Sequence, residues 1–434
     1  MKYQPLPSEF YIKNRERFVS KLKPNSIAIF VANDEMPSSA DATYSWKQNP
    51  DLFYLSGIDQ EQTILVLFPD CPNPKQREVL FVRKTNEHIA IWEGHKYTKE
   101  EAIIASGIDN VQWVENFGPM FHVLMTYAQN VYLNLNDHDR ANTKVPYAEL
   151  RFARDLRNDY PLHNFERSAP IMHQLRAIKH AQEVKQIQSA CNITEKAFRR
   201  VLGFVKPGVM EYEIEAEIIH EFIRNRSAGH AYNPIIASGA SACVLHYNDN
   251  NKVCNEGEVI LMDFGAEYGN YKSDLSRSIP VNGKFTSRQK DVYNAVLNVM
   301  KYATSMLVAG TLLDDYNKEV GSAMEVELIK LGLLNEQEVK KQNPDAPLYK
   351  KYFMHGTSHY LGIDVHDVGY RYGRMQAGNV FTCEPGIYIP EEGLGIRLEN
   401  DILITESGNI DLMASIPLEI EEIEQLMSEK HRVI

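Results

Sequence analysis

Along residues 1 to about 165, short apolar runs alternate with segments of helical period. Residues 27–32, 52–55, 64–68, 79–82 and 131–135 have the length and β-branched or aromatic content of strands. Residues 97–106 and 119–128 carry the 3.6-residue period of helices. The alternation predicts an α/β domain. A polar stretch at 164–170 then precedes a long amphipathic segment, 174–204, stopped by Lys206-Pro207-Gly208. The expected division is an N-terminal domain over 1–167 and a second domain over 168–434. In the second domain, Glu211–Arg224 opens with acidic residues and sets Ile214, Ile218 and Phe222 on one helical face. β-type runs follow at 234–237 and 243–246, then a hairpin over 259–281. Helices at 287–307 and 314–331, broken at Ala309-Gly310, lead to a second hairpin over 380–405. The order helix, glycine break, acidic-start helix, hairpin thus occurs twice. It predicts an α+β domain with a pseudo-twofold repeat and a site at the seam between its halves.

Both hairpins carry carboxylates on their strands. In VILMDFGAEYGNYKSDLSRSIPV a turn centred at Tyr268-Gly269 puts Asp263 opposite Asp274, at a cross-strand Cβ separation of about 4.5–5.5 Å. In VFTCEPGIYIPEEGLGIRLENDILIT a centre at Glu391-Glu392 puts Glu384 opposite Glu399, with Arg397 on the face of Glu399 and Tyr388 on that of Glu384. Two opposed carboxylates either share a proton or share a cation. One such pair is as readily a solvated strand edge; two in equivalent places point to a site. Between the hairpins, HGTSHYLGIDVHDVG brings His355, His359 and His366 among glycines and apolar residues. This is not a helical HExxH motif, because Gly356 follows His355. His88, His95, His122 and His138 are scattered through the first domain and read as surface or satisfied core histidines.

The formal net charge of −12 offers no basic face for nucleic acid or an anionic membrane. Five cysteines, odd in number and without CxxC spacing, argue against a disulfide framework or thiolate metal site and for a reducing compartment. The N-terminal residues lack the apolar core of a signal peptide, and no apolar run approaches a membrane span. A cytoplasmic protein is expected. Four carboxylates and an imidazole form an oxygen-rich donor set that two divalent cations would neutralise. Such donors favour Mn²⁺ or a similar borderline-hard ion. Paired ions of this kind hold a bridging water between them as a nucleophile for a carbonyl.

The motifs MDFGAEYGNYKSDLSRSIPV, FMHGTSHYLGIDVHDVG and TCEPGIYI…GIRLENDILIT resemble the pita-bread metallopeptidases, and within them the Xaa-Pro aminopeptidase (aminopeptidase P) branch. SADATYSWKQNPDLFYLSGI is similar, more loosely, to the N-terminal domain of aminopeptidase P. The resemblance implies Asp263, Asp274, His359, Glu384 and Glu399 as ligands of two metal ions, with Glu384 also accepting the proton of the attacking water. It implies that His246 contacts substrate and that His355, His366, Tyr388 and Arg397 surround the substrate and its intermediate. It further implies peptide substrates with proline in second position, and a homo-oligomer, dimer or tetramer, in which Trp92 reaches a neighbouring subunit. All five ligand types are present, unlike in a metal-free relative such as a creatinase. The loop from Tyr388 to Gly395 is shorter than in many relatives, which bears on the rim of the site. Two other readings remain: an Xaa-Pro dipeptidase (prolidase), which shares the five ligands, and a non-catalytic pita-bread binding protein. Cleavage of Xaa-Pro-Pro tripeptides discriminates the first, and metal content the second.

Overall fold

The computed structural model describes residues 3–141 and 144–429. The chain folds as two units, Pro5–Arg176 and residues 177–429 together with residues 3–4. In the first unit, six strands form a mixed sheet in the order Val111–Trp113, Glu78–Val82, Ile64–Leu67, Ser26–Val31, Asn130–Leu133, Asn164–Arg167. The central strand Ser26–Val31 runs antiparallel to Ile64–Leu67 and parallel to Asn130–Leu133. Ile27, Ile29 and Val31, on one face by strand alternation, pack against Phe121, Leu124 and Met125 of helix Phe117–Met125 and Ala153 and Leu156 of helix Ala148–Asp159.

A buried carboxyl, Glu149, sits among other buried polar groups of this unit. Glu149 accepts hydrogen bonds from Asn49 Nδ2 at 2.9 Å and Asn134 Nδ2 at 2.7 Å. Nearby, Arg176 Nη1 meets Asp51 Oδ1 at 2.8 Å. Burial, and then the charge of Asp51, push the Glu149 carboxyl up to about 8 despite the two amide donors.

The second unit repeats one arrangement. Helices Ala181–Leu202 and Glu211–Arg224 pack together in a half whose sheet contains Ile235–Ser238, Val259–Phe264 and Leu275–Pro280. Helices Ser287–Met306 and Leu313–Lys330 do the same in a half whose sheet contains Val380–Cys383, Asn400–Thr405 and Gly408–Asp411. Each hairpin is stepped partway along. Val259–Phe264 continues after a break as Ala266–Tyr268, and Val380–Cys383 continues as Gly386–Ile389. Asp274, Glu384 and Glu399 lie at these breaks, and Asp263 two residues before one of them, Gly265. Backbone groups freed from the ladders there are satisfied elsewhere: Glu384 N donates to Thr357 O at 2.8 Å and Glu399 N to Ser276 O at 3.1 Å.

Several local expectations are corrected. Residues 52–55 form part of helix Pro50–Ser56, because the Asn49 side chain accepts from the Asp51 and Leu52 amides and Pro50 supplies a helical φ at the first position. The segment 174–204 is two helices, Ala169–Ala177 and Ala181–Leu202. The second starts afresh where Glu183 reaches back to the His180 amide at 2.8 Å. Residues 243–246 are not a strand; the tight helical turn Gly239–Cys243 runs into an irregular turn. The first hairpin is also shifted. Asp263 pairs with Ser276, not with Asp274. The turn lies one residue later, at Gly269 (φ 60°) and Asn270 (φ 67°), because a two-residue hairpin turn of this type needs both central residues in the left-handed region. A turn displaced by one residue displaces the pairing by two, so Asp263 and Asp274 become diagonal neighbours on one face. The second hairpin keeps its expected register: Cys383 pairs with Asn400 and Gly386 with Arg397, and these bracket Glu384 and Glu399.

Candidate metal centre

The stepped hairpins and the loop after His355 deliver their polar side chains to one place. Asp274, His359 and Glu399 are buried, and one ligand atom from each lies within 4.8 Å of those of the other two. His359 Nε2 stands 3.5 Å from both Asp274 Oδ2 and Glu384 Oε1. Its Nδ1 lies 3.0 Å from the Tyr360 carbonyl, which can only accept, so Nδ1 carries a proton and Nε2 is the ring nitrogen that faces the carboxylates. Asp263 is tied to this group through Tyr232, whose hydroxyl contacts Asp263 Oδ1 at 2.6 Å and also Asp274 Oδ1. Asp263 Oδ2 accepts from Arg397 Nη2 at 2.7 Å.

Electrostatics decides what this arrangement needs. Burial, and then the charges of Asp263 and Glu384, push the Asp274 carboxyl well above the usual range. Burial, and then Asp274, Glu384 and Asp263, do the same to Glu399. The Tyr232 phenol is likewise held protonated, by burial and the two aspartates. One hydroxyl has one proton and can donate to only one of the two aspartates at a time, so the other contact needs a further proton or a cation. Protons or cations must therefore compensate these charges, and the donor set of carboxylate oxygens and one imidazole nitrogen suits divalent cations.

The remaining predicted residues surround the carboxylates. His355 Nδ1 donates to the Gly356 carbonyl at 2.8 Å, which leaves Nε2 to accept from Tyr388 Oη at 2.8 Å. Tyr388 Oη in turn accepts from Arg397 Nη1 at 2.9 Å. Burial, and then the Arg397 charge, hold the His355 imidazole down at about 4, so it is neutral around pH 7. Burial opposes the charge on Arg397, but Tyr388, Asp263 and Glu399 outweigh it and keep the guanidinium protonated. His366 is exposed, with its ring edge-on to His359 at a centroid distance of 4.5 Å. His246 is exposed on the turn after Gly239–Cys243, close enough for His355 to feel its charge.

Three further residues complete the site. Tyr232 bridges the aspartates as described. Ser276 Oγ donates to Glu399 Oε2 at 2.7 Å and lies 2.9 Å from Arg397 Nε. Asp401 Oδ2 accepts from the Asp274 amide at 3.1 Å. The correct register would have exposed Ser276 as the partner of Asp263, and period-two alternation would have placed Asp401 on the face of Glu399. No sequence pattern marks Tyr232.

Comparison with known proteins matches residues 185–406 to the model of metallopeptidase family M24 and residues 11–132 to that of the aminopeptidase P N-terminal domain. Xaa-Pro aminopeptidase of Escherichia coli (strain K12) is 34% identical over 432 residues, covering 96% of this chain and 96% of that protein. Xaa-Pro aminopeptidase 3 of Homo sapiens is 29% identical over 414 residues, covering 92% of this chain and 80% of its own. Among solved structures, a variant of Escherichia coli aminopeptidase P in complex with substrate superposes with a TM-score of 0.88 at 32% identity, covering 99% of this chain and 100% of that one. Pseudomonas aeruginosa aminopeptidase PepP gives a TM-score of 0.89 at 28% identity, covering 99% of each chain. With the repeated helix-and-hairpin unit, the buried carboxylates and the matching N-terminal domain, the chain belongs to metallopeptidase family M24, in its aminopeptidase P branch.

Proposed function

We propose that this chain removes the N-terminal residue from peptides whose second residue is proline, using two divalent metal ions, Mn²⁺ by preference, held by Asp263, Asp274, His359, Glu384 and Glu399. The carrying observation is the buried cluster of Asp274, His359 and Glu399, with Glu384 Oε1 3.5 Å from His359 Nε2. When bound, the ions would polarise the scissile carbonyl and lower the pKa of the attacking water. Glu384 accepts the proton of that water. Arg397, permanently charged and hydrogen-bonded to Asp263, holds that ligand's orientation and adds positive charge where the oxyanion develops. Tyr388 and the Gly356 carbonyl engage both ring nitrogens of neutral His355 and fix its orientation beside the carboxylates, while His246 and His366 line the more open side.

Tolerance of proline follows from the bond itself. The Xaa-Pro amide has no N–H, so a site that grips that group loses a contact. A site that acts through the carbonyl does not. The Xaa-Pro aminopeptidase names of the relatives, matched over both units, support an aminopeptidase over a dipeptidase. The reading includes a homo-oligomer, dimer or tetramer, supported by Trp92 and Ile91, each 78% exposed on helix Glu87–Glu93. It also includes a cytoplasmic setting, supported by five free cysteines. Among the described residues no helix is long and apolar enough to cross a membrane. A panel of Xaa-Pro-Pro tripeptides, longer Xaa-Pro peptides and Xaa-Pro dipeptides tests the activity. Release of the N-terminal residue from the longer substrates is expected, and hydrolysis confined to dipeptides would overturn it.

A further inference from the structure

One fully buried ion pair in the catalytic unit plays no part in the chemistry above. Lys179 Nζ lies 2.8 Å from Asp367 Oδ2, with both side chains 1% exposed. Removing two charges from water costs several kcal/mol per ion, so such a pair is weak evidence for stability and invites another reason for its presence. Its surroundings supply one.

Lys179 is held at the junction between helices, its amide donating to the Gly378 carbonyl at 2.8 Å. Asp367 closes the loop that begins at Tyr360. Its amide donates to the Tyr360 carbonyl at 2.9 Å, and its Oδ1 accepts from the Val368 amide at 2.9 Å. That same Tyr360 carbonyl accepts His359 Nδ1–H at 3.0 Å. The carbonyl that sets the tautomer of His359 is therefore fixed in turn by the amide of the residue paired with Lys179. Gly362 shows how closely the carboxylate is seated: a Cβ there would fall 2.0 Å from Asp367 Oδ2 and 2.8 Å from Lys179 Cε.

We infer that the Lys179–Asp367 pair is a positioning device for His359, acting through the Tyr360 carbonyl to hold Nε2 toward Asp274 and Glu384. Outer partners that orient a ligating imidazole typically change metal affinity 10–100-fold when removed. The inference rests on the proposed role of His359 as a metal ligand.

The test titrates Mn²⁺ into metal-stripped protein by calorimetry, alongside ¹⁵N NMR of the histidine rings. It compares wild type, Gly362→Ala, and the paired replacement Lys179→Met/Asp367→Leu, which leaves no charge unpaired. Gly362→Ala keeps both charges and displaces the carboxylate together with the end of the Lys179 stem. In variants with wild-type circular dichroism, Mn²⁺ affinity is expected to fall about tenfold or more. The His359 signals should change from a single Nδ1–H tautomer to a mixture, and kcat should fall with KM little changed. Folded variants binding Mn²⁺ within twofold of wild type and keeping the single tautomer would overturn the inference. If Gly362→Ala does not fold, the paired variant decides alone. Wild-type protein that fails to bind Mn²⁺ would instead overturn the proposed metal site, a distinguishable result.

Discussion

Tyr388 Oη donates to His355 Nε2 at 2.8 Å while accepting from Arg397 Nη1 at 2.9 Å, so a single hydroxyl fixes both a neutral imidazole and a guanidinium. Tyr388→Phe removes both bonds and leaves the buried Arg397 nitrogen without that acceptor. A lost hydrogen bond to a charged group is worth about 1.5–3 kcal/mol, which corresponds to a fall in kcat of roughly 10–100-fold. Metal content measured by mass spectrometry should be unchanged, as should that of His355→Ala. Loss of metal from either variant would show that these residues belong to the ligand set.

Arg397 distributes three nitrogens over Asp263, Ser276 and Tyr388. A lysine in its place keeps the charge but cannot reach all three acceptors. Arg397→Lys should therefore behave much like Arg397→Ala, with kcat down about 100-fold on the same hydrogen-bond scale and metal retained. Near-wild-type turnover of Arg397→Lys would mean that charge alone suffices.

Tyr232 lies between Asp263 and Asp274, and its phenol contacts both carboxylates. Tyr232→Phe should weaken Mn²⁺ binding about tenfold, as expected for an outer partner of metal ligands, and lower turnover at limiting metal. Excess Mn²⁺ should restore part of the activity. Unaltered affinity in a calorimetric titration would contradict the bridging role.

The N-terminal unit carries its own pH dependence. The folded Glu149 carboxyl, pushed up to about 8, binds a proton that the unfolded chain releases near the ordinary carboxyl value of 4.5. Its contribution to stability is thus fully present below about pH 4.5 and is lost as pH rises through 8. Glu149→Gln, neutral at every pH, should flatten the decline in melting temperature between pH 5 and 9. A variant that melts with the same pH slope as wild type would remove Glu149 as the cause.

Most of the second hairpin of the candidate site was legible because it is local. Glu384 and Glu399 flank one turn, and alternation about that turn placed them correctly together with Arg397 and Tyr388. The first hairpin failed by one position at its turn, since Tyr268-Gly269 and Gly269-Asn270 both contain the glycine that marks it. Only the demand for two left-handed residues separates them. The strand expected at 52–55 was a helix because the Asn49 cap and Pro50 outweighed an apolar run too short to show its period. Tyr232 escaped because it meets Asp263 and Asp274 across 31 and 42 residues, through a strand pairing that periodicity does not specify. The Lys179–Asp367 pair, 188 residues apart, was hidden for the same reason.

The central claim is that four carboxylates and His359 exist to hold two cations, and the stoichiometry of bound metal tests it most directly. Mn²⁺ titrated into metal-stripped protein should bind at two ions per chain, with peptidase activity appearing as the second site fills. Asp274→Ala and Glu399→Ala should lose both the second ion and the activity. Protein that binds no divalent ion, or that hydrolyses Xaa-Pro peptides equally well in the presence of a chelator, would contradict the account.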